Sequence, residues 1–479
     1  IYESKFSSEL CNNEMTFQDC ELAILRHAVD EAEKSHSSKI ANSESVKQMI
    51  HILESFLIRT KCVCYGGTAI NNILPQDAQF YDREIEVPDY DFYSPTAMEH
   101  AKELANIYAK EGFEEVEAKA GVHFGTYKVF VDFIPIADIT FLHPTIFKSM
   151  SKETITVAGI KYCPANFLRM NMFLELSRPM GDVSRWEKVM KRLTLLNKYY
   201  PLKTKNCGSV EFQRPMDSFA DKSELLYFTI RDTLAYNSVI FLGGFATRLY
   251  SRYDKNKRNT VDVKKIPDFD VIVENPERIA MIVVEQLKSN GFDKMKIIKH
   301  EEIGEIVPAA YEVRMHNETL VFLYEPIACH SYNIIKMNNY TLRIATIDTM
   351  LSFYLAFYYS DLPYHNKDRI LCMCKFLFDI ESKNRLEQKG LLKRFSIECE
   401  GTQATLESIR SEKVRKFEEL KSQRGTREYD LWFLKYYVGT KKSSDEKNKK
   451  IKKRTKNVKK VKKGTKKNTS ILKKLKDLL

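Results

Sequence analysis

Gly66-Gly67-Thr68, followed by Asp89-Tyr90-Asp91, are the residues whose types and spacing best suit chemistry. A Gly-Gly turn lets backbone N–H groups approach a polyphosphate closely, because no Cβ intervenes. Paired aspartates supply hard oxygens for Mg²⁺. Asp-x-Asp on a strand sets both carboxylates on one face and turns Tyr90 and Phe92 to the other. Adding a nucleoside monophosphate to a hydroxyl needs an activated oxygen, a stabilised pyrophosphate and in-line placement. Two divalent cations bridged by carboxylates can supply all three. A third carboxylate is expected from a neighbouring strand. Asp132 stands inside the apolar run Val129 to Ala137, where a lone carboxylate is costly to bury and a metal is a natural counter-charge. Asp138 is a weaker candidate that reads as a strand-end residue, and Lys128 is an alternative partner for Asp132. Asp89, Asp91 and Asp132 are therefore the expected catalytic and metal-holding set.

A damaged copy follows. Gly243-Gly244-Phe245 precedes Asp268-Phe269-Asp270, and Val321 to Ala328 parallels Val129 to Ala137. Aligning Pro326 with Pro135 places Leu323 at the position of Asp132, and Phe245 at that of Thr68. Such internal similarity implies two αβ units, the first competent and the second degenerate. Singly, each motif has a bland reading: Gly-Gly is often only a turn, and Asp-x-Asp is common on solvated strands. Their joint order, echoed by a repeat, favours a site. Arg178, Arg185, Lys188 and Lys191 are candidates for triphosphate contacts, with a solvated basic helix face as the alternative for each. Asn171 reads as a packing amide and Trp186 as a core anchor.

These motifs need positioning elements. The first sixty residues read helical, with Thr16-x-x-Asp19 and Ser45-x-x-Gln48 as N-terminal caps. A strand over 61–65 feeds the turn, and a helix over 68–74 follows it. The stretch 86–93 carries Asp-x-Asp, Pro95 starts a helix, and His123 to Ile139 reads as one long strand. The expected organisation is N-terminal helices over 1–60, a first unit over 61–150 and a helical segment over 151–205. A second unit over 222–340, helices over 341–440 and a basic tail over 441–479 complete it. The fold class is α+β.

The chain has 479 residues and a formal charge of +12. The segment 441–479 holds 18 Lys+Arg against 3 Asp+Glu, leaving a net −3 for the rest. Such a tail repels itself, and it either condenses on phosphate backbones or acts only as a solubilising or localising segment. The ten cysteines lack metal-finger spacing and sit in apolar runs, so buried thiols without a disulfide framework are expected. No apolar run is long enough to span a bilayer.

The stretches Cys64 to Asn72, Pro88 to Phe92, and Ser177-Arg178-Pro179 through Arg185 to Val189 resemble the poly(A) polymerase catalytic subunits of large nucleocytoplasmic DNA viruses. That group lies within the nucleotidyltransferase superfamily of DNA polymerase β-like fold. The resemblance implies ATP as donor, an RNA 3′ end as acceptor, and Mg²⁺ or Mn²⁺ as cofactor. It implies that Gly66, Gly67 and Thr68 face the triphosphate, and that Asp89, Asp91 and Asp132 bind metal. It further implies homodimerisation and a place in the host cytoplasm, virus factory or virion. The insertion between Thr68 and Asp89 departs from the compact superfamily members and leaves 76–86 without a role. An enzyme of this fold with another acceptor, and a non-catalytic RNA-binding scaffold, are the competing readings.

Overall fold

The computed structural model describes residues 9–438, apart from 13, 83–86, 205–206, 209, 215, 217–221, 255–264, 338–339 and 385. The basic tail lies outside the described residues. Two sheets dominate. The first contains β1 (Val63–Tyr65), β2 (Tyr90–Ser94), β3 (Val116–Ala120), β4 (Thr126–Val131), β5 (Ile134–Phe141), β6 (Ile155–Val157) and β7 (Ile160–Tyr162). The second contains β8 (Ile240–Leu242), β9 (Phe269–Ile272), β10 (Met295–His300), β11 (Ala310–Met315), β12 (Glu318–Tyr324), β13 (His330–Met337), β14 (Tyr340–Ala345) and β15 (Cys399–Glu400). The last strand, β16 (Lys435–Tyr437), returns to the first sheet.

The spatial orders are β16-β3-β4-β5-β2-β1-β7-β6 and β10-β11-β12-β9-β8-β14-β13-β15. With the added edge strands β16 and β15 set aside, they are the same order. The duplication legible in the sequence is thus a duplicated topology, in a mixed α/β architecture. Helices Ala97–Lys110 and Pro276–Ser289 pack on equivalent strands of the two sheets. Gly112 and Gly291, both at positive φ, close them. Helices Ala165–Leu176 and Ile347–Ser360, each following its sheet, pack against one another and join the units.

Local signals explain the elements. Thr16 and Asp19 form the expected capping box on helix Phe17–Ala41. The next helix, Glu44–Thr60, is capped by Ser43, whose hydroxyl accepts from the Val46 N–H, and not by Ser45. Its stripe Val46, Met49, Leu53, Phe56 and Leu57 is buried, as a 3.6-residue period requires.

The expected long strand over 123–139 is two strands. Asp132 and Phe133 turn the chain at φ of 49° and 67°, so β4 and β5 form a hairpin with Val131 opposite Ile134. Two successive left-handed residues match a tight primed turn. The second unit repeats this at His316, φ 53°, with Met315 opposite Glu318. The structural counterpart of Asp132 is therefore His316, not Leu323. Pro326 lies beyond the end of β12, so the Pro326–Pro135 alignment was out of register.

The cysteines also differ from expectation. Cys11–Cys20, Cys207–Cys372 and Cys329–Cys399 are disulfide-bonded, while Cys62, Cys64, Cys163 and Cys374 are buried thiols. Two of the bridges close 165 and 70 residues of chain. Such pairs arise from tertiary folding and leave no spacing signature.

Candidate active site

β1 ends at Tyr65, and the chain turns at Gly66 into helix Gly66–Ile73. Gly66 has φ +75°, and a Cβ there would stand 2.6 Å from Asp91 Oδ2. Glycine is thus required twice, for the left-handed turn and for the carboxylate lying against it. No side chain caps this helix, so its first N–H groups remain for an anion.

Asp91 on β2 is opposite Tyr65 of β1 on one side and Asp138 of β5 on the other. Burial pushes the Asp91 carboxyl up to about 7, and the charges of Asp89 and Asp138 add to the rise. Asp89 is also raised, by burial and then by Asp138, against the opposing charges of Lys128 and Lys188. Asp89, Asp91 and Asp138 thus share one electrostatic neighbourhood. Asp138 itself is ion-paired with Lys128.

Asp132 is not among them. It is exposed in the β4–β5 turn, six residues before Asp138, about 20 Å along an extended chain. The expected grouping of Asp132 with Asp89 and Asp91 does not hold in the structure; the carboxylate paired across the strands with Asp91 is that of Asp138. The acidic residue in the apolar run is a turn residue, so it faces water and needs no metal. Lys128 pairs with Asp138, not with Asp132.

The donor set suits divalent cations in kind: three hard carboxylates that repel one another when bare. As placed, no three His, Cys, Asp or Glu side chains among the described residues form a ready-made ion cage. Lys128 supplies the positive charge at Asp138 instead.

Thr68 is buried, and its hydroxyl donates to the Asp89 carbonyl at 2.6 Å. That proton is not free for a phosphate, and Thr68 acts as a brace for the Asp89 backbone. Lys188 stands close enough to lower the carboxyl of Asp89. Arg185 pairs with Glu175 at 3.0 Å, and Lys191 with Glu187 at 2.6 Å. Arg178 lies by Glu305 of the second unit, its guanidinium drawn down to about 10 by burial. Asn171 donates to the Tyr93 hydroxyl at 3.3 Å, and the Trp186 indole to the Glu175 carbonyl at 3.0 Å; both side chains are half-buried.

Arg192 was missed. A Cβ on Gly67 would meet its guanidinium at 2.6 Å and the Tyr81 hydroxyl at 2.7 Å. Arg192 donates to Tyr81 and lies over the rings of Phe80 and Tyr81 at 5.4 and 5.8 Å. Its spacing of four from Lys188 on helix Trp186–Tyr199 was the available signal. The loop that lacked a role holds this arginine. Asn71 accepts the N–H groups of Phe80 and Tyr81 at 2.7 and 2.9 Å, which folds the loop over the site. Thr68, Asn71, Tyr81 and Asp89 help line a cavity of ≈ 150 Å³ beneath it.

The second unit keeps the frame and loses the opening. Gly243 has φ +70°, and Asp270 lies against it as Asp91 lies against Gly66. A Cβ on Gly244, however, would meet the Phe212 carbonyl at 2.3 Å, because the connector between units occupies the turn. Arg214 of that connector pairs with Asp268 and, at 3.3 Å, with Asp270, and its N–H donates to Asp268 at 2.7 Å. Phe322, opposite Asp270, stands where Asp138 stands opposite Asp91. The Arg214 guanidinium lies 5.1 Å over that ring.

Residues 51–182 match the family described as poly(A) polymerase catalytic subunit. A putative poly(A) polymerase catalytic subunit of African swine fever virus (strain Badajoz 1971 Vero-adapted) is 30% identical over 258 residues, 50% of this chain and 54% of the relative. The match thus spans about half the length of that relative. One from Acanthamoeba polyphaga mimivirus is 32% identical over 161 residues, 33% of this chain and 27% of the relative. The crystal structure of the Megavirus polyadenylate synthase superposes with a TM-score of 0.73 at 19% identity, covering 92% of both chains. Residues 51–182 thus resemble the poly(A) polymerase catalytic subunit family, within a fold shared along nearly the whole chain with the Megavirus protein.

Proposed function

We propose that the chain is a template-independent polynucleotide adenylyltransferase that adds AMP from ATP to RNA 3′ ends. The observation that carries this reading is the convergence of Asp89, Asp91 and Asp138 beside an uncapped helix N-terminus, inside the segment that matches the family. Asp89, Asp91 and Asp138 would hold the divalent cations, Mg²⁺ or Mn²⁺. Bound there, such ions make the acceptor hydroxyl a better nucleophile and offset charge on the departing pyrophosphate.

The remaining roles fall to the chain's own groups. Gly66 and Gly67 admit the triphosphate to the free N–H groups of the helix. Arg192, held by Tyr81, and Lys188 balance the phosphate charge from the opposite wall. The cavity of ≈ 150 Å³ is smaller than the roughly 300 Å³ of ordinary ligand sites. It takes one part of the nucleotide, and the rest lies in the open cleft. Adenine preference and a homodimeric state rest on the family resemblance.

The test is to offer the purified chain a short RNA with each nucleoside triphosphate and Mg²⁺ or Mn²⁺. Ladder extension with ATP, lost in Asp138→Ala, is the expected result. Full activity in Asp138→Ala would end this assignment, and extension of tRNA alone would favour another acceptor.

A further inference from the structure

Side chains opposite one another across neighbouring strands share a face of the sheet. In the first sheet one such row runs Lys435 (β16), Lys119 (β3), Lys128 (β4), Asp138 (β5), Asp91 (β2). The opposite face is closed, with Ala118, Val129, Ala137 and Phe92 all buried. The row's own face is open. Lys119 and Lys128 side chains are 41% and 37% exposed, and Lys435 is exposed. Three ammonium groups therefore lead to the carboxylates over four strand steps, about 19 Å.

Aromatic rings accompany the charges. Lys119 Nζ sits 3.9 Å over the Phe130 ring, and Lys435 lies 5.5 Å from the ring of Tyr437, which is 43% exposed. Glu117 lies 3.3 Å from Lys119 on this face. Alternating cations and rings on an open sheet suit single-stranded nucleic acid, whose phosphates and bases are read by those two groups.

The second unit supplies a control within the molecule. Its equivalent row is Ile298, Glu312, Phe322 and Asp270. Both lysines of the first unit's own strands are replaced, one by an apolar residue and one by an acid. The basic row exists only beside the unplugged carboxylates. It also begins on β16, the strand that leads toward the segment 441–479 with its 18 basic residues.

We propose that the acceptor RNA lies across this open face, its 3′ end at Asp91 and Asp138 and its upstream nucleotides over Lys128, Lys119 and Lys435. The assignment rests on the adenylyltransferase reading for the identity of the acceptor. The test is the anisotropy of a fluorescent 20-nucleotide RNA bound to the full chain without ATP, from about 50 to 200 mM salt. Lys119→Gln/Lys435→Gln should weaken binding about fivefold at low salt and flatten the log–log salt slope by roughly 1.4, the share of two phosphate contacts. Lys296→Gln/Lys299→Gln, on β10 of the second unit, should change neither. Absence of RNA binding by the unaltered chain, or unchanged affinity and slope in the first variant with its melting intact, overturns the path. Equal loss of a polyglutamate of matching charge would assign the row to an acidic protein and also overturn it. RNA binding that falls as expected in a chain that never extends RNA would leave the path standing and remove the polymerase.

Discussion

The two units present one frame in two electrostatic states. In the first, three carboxylates crowd an open turn, and Asp91 is raised by burial and by its two neighbours. In the second, Asp268 and Asp270 hold Arg214, whose proton they retain against the opposing effect of burial. A guanidinium lies between the two aspartates, Phe322 stands at the register position of Asp138, and the Phe212 backbone fills the turn. The second unit keeps the charged pair and gives it a permanent internal partner, because a buried unpaired carboxylate is more destabilising than a paired one.

The largest effect should separate Asp138 from Asp132. Asp138→Ala is expected to lower nucleotide transfer by about 10³-fold, whereas Asp132→Ala should retain wild-type turnover within about twofold. Single-turnover incorporation of labelled ATP decides between them, and the reverse result would break the assignment. Next, Arg214→Ala should destabilise the protein by about 3 kcal/mol in urea denaturation by leaving two buried carboxylates unpaired. Adding Asp268→Asn and Asp270→Asn should restore much of that. If Arg214→Ala is neutral, the second unit is not plugged by charge.

A smaller effect has the opposite sign. The Asp91 carboxyl moves from an ordinary 3.8 to about 7 on folding. Between those values the folded state keeps a proton that the unfolded chain has released. Stability of the metal-free protein therefore falls as pH rises through that window. Asp91→Asn should raise metal-free stability at pH 8 by on the order of 2 kcal/mol, while Asp270→Asn should lower it. Equal responses at the two positions would erase the contrast. The smallest effect concerns the turns. Gly67→Ala meets only the movable tips of Arg192 and Tyr81, so a several-fold rise in KM for ATP with about 0.5 kcal/mol of stability change is expected. Gly244→Ala meets the Phe212 backbone and should be destabilising by about 1–2 kcal/mol without affecting KM.

Much of the frame was legible from residues. The Gly-Gly turns, the Asp-x-Asp strands and the helices closed by Gly112 and Gly291 all announce themselves locally. Asp138 was hidden because the turn at Asp132-Phe133 carries no glycine, so Val129 to Ala137 reads as one apolar strand. Left-handed φ at two ordinary residues is a conformation that the hairpin imposes and propensity does not reveal. The same error shifted the repeat and aligned the wrong residue with the missing carboxylate. Arg214 and the Cys207–Cys372 bridge act across long stretches of chain, where no periodicity could show them. Arg192 was within reach, one helical turn beyond Lys188.

β16 has a practical consequence. It hydrogen-bonds along β3, Leu434 just before it is buried, and the Ala120 N–H donates to the Leu434 carbonyl at 2.9 Å. A truncation placed before Leu434 would strip this cover and leave β3 as a bare template for intermolecular pairing. A stop codon after residue 438 would remove the lysine-rich terminus while leaving that seam closed, which sets the boundary for trimming the chain without inviting aggregation.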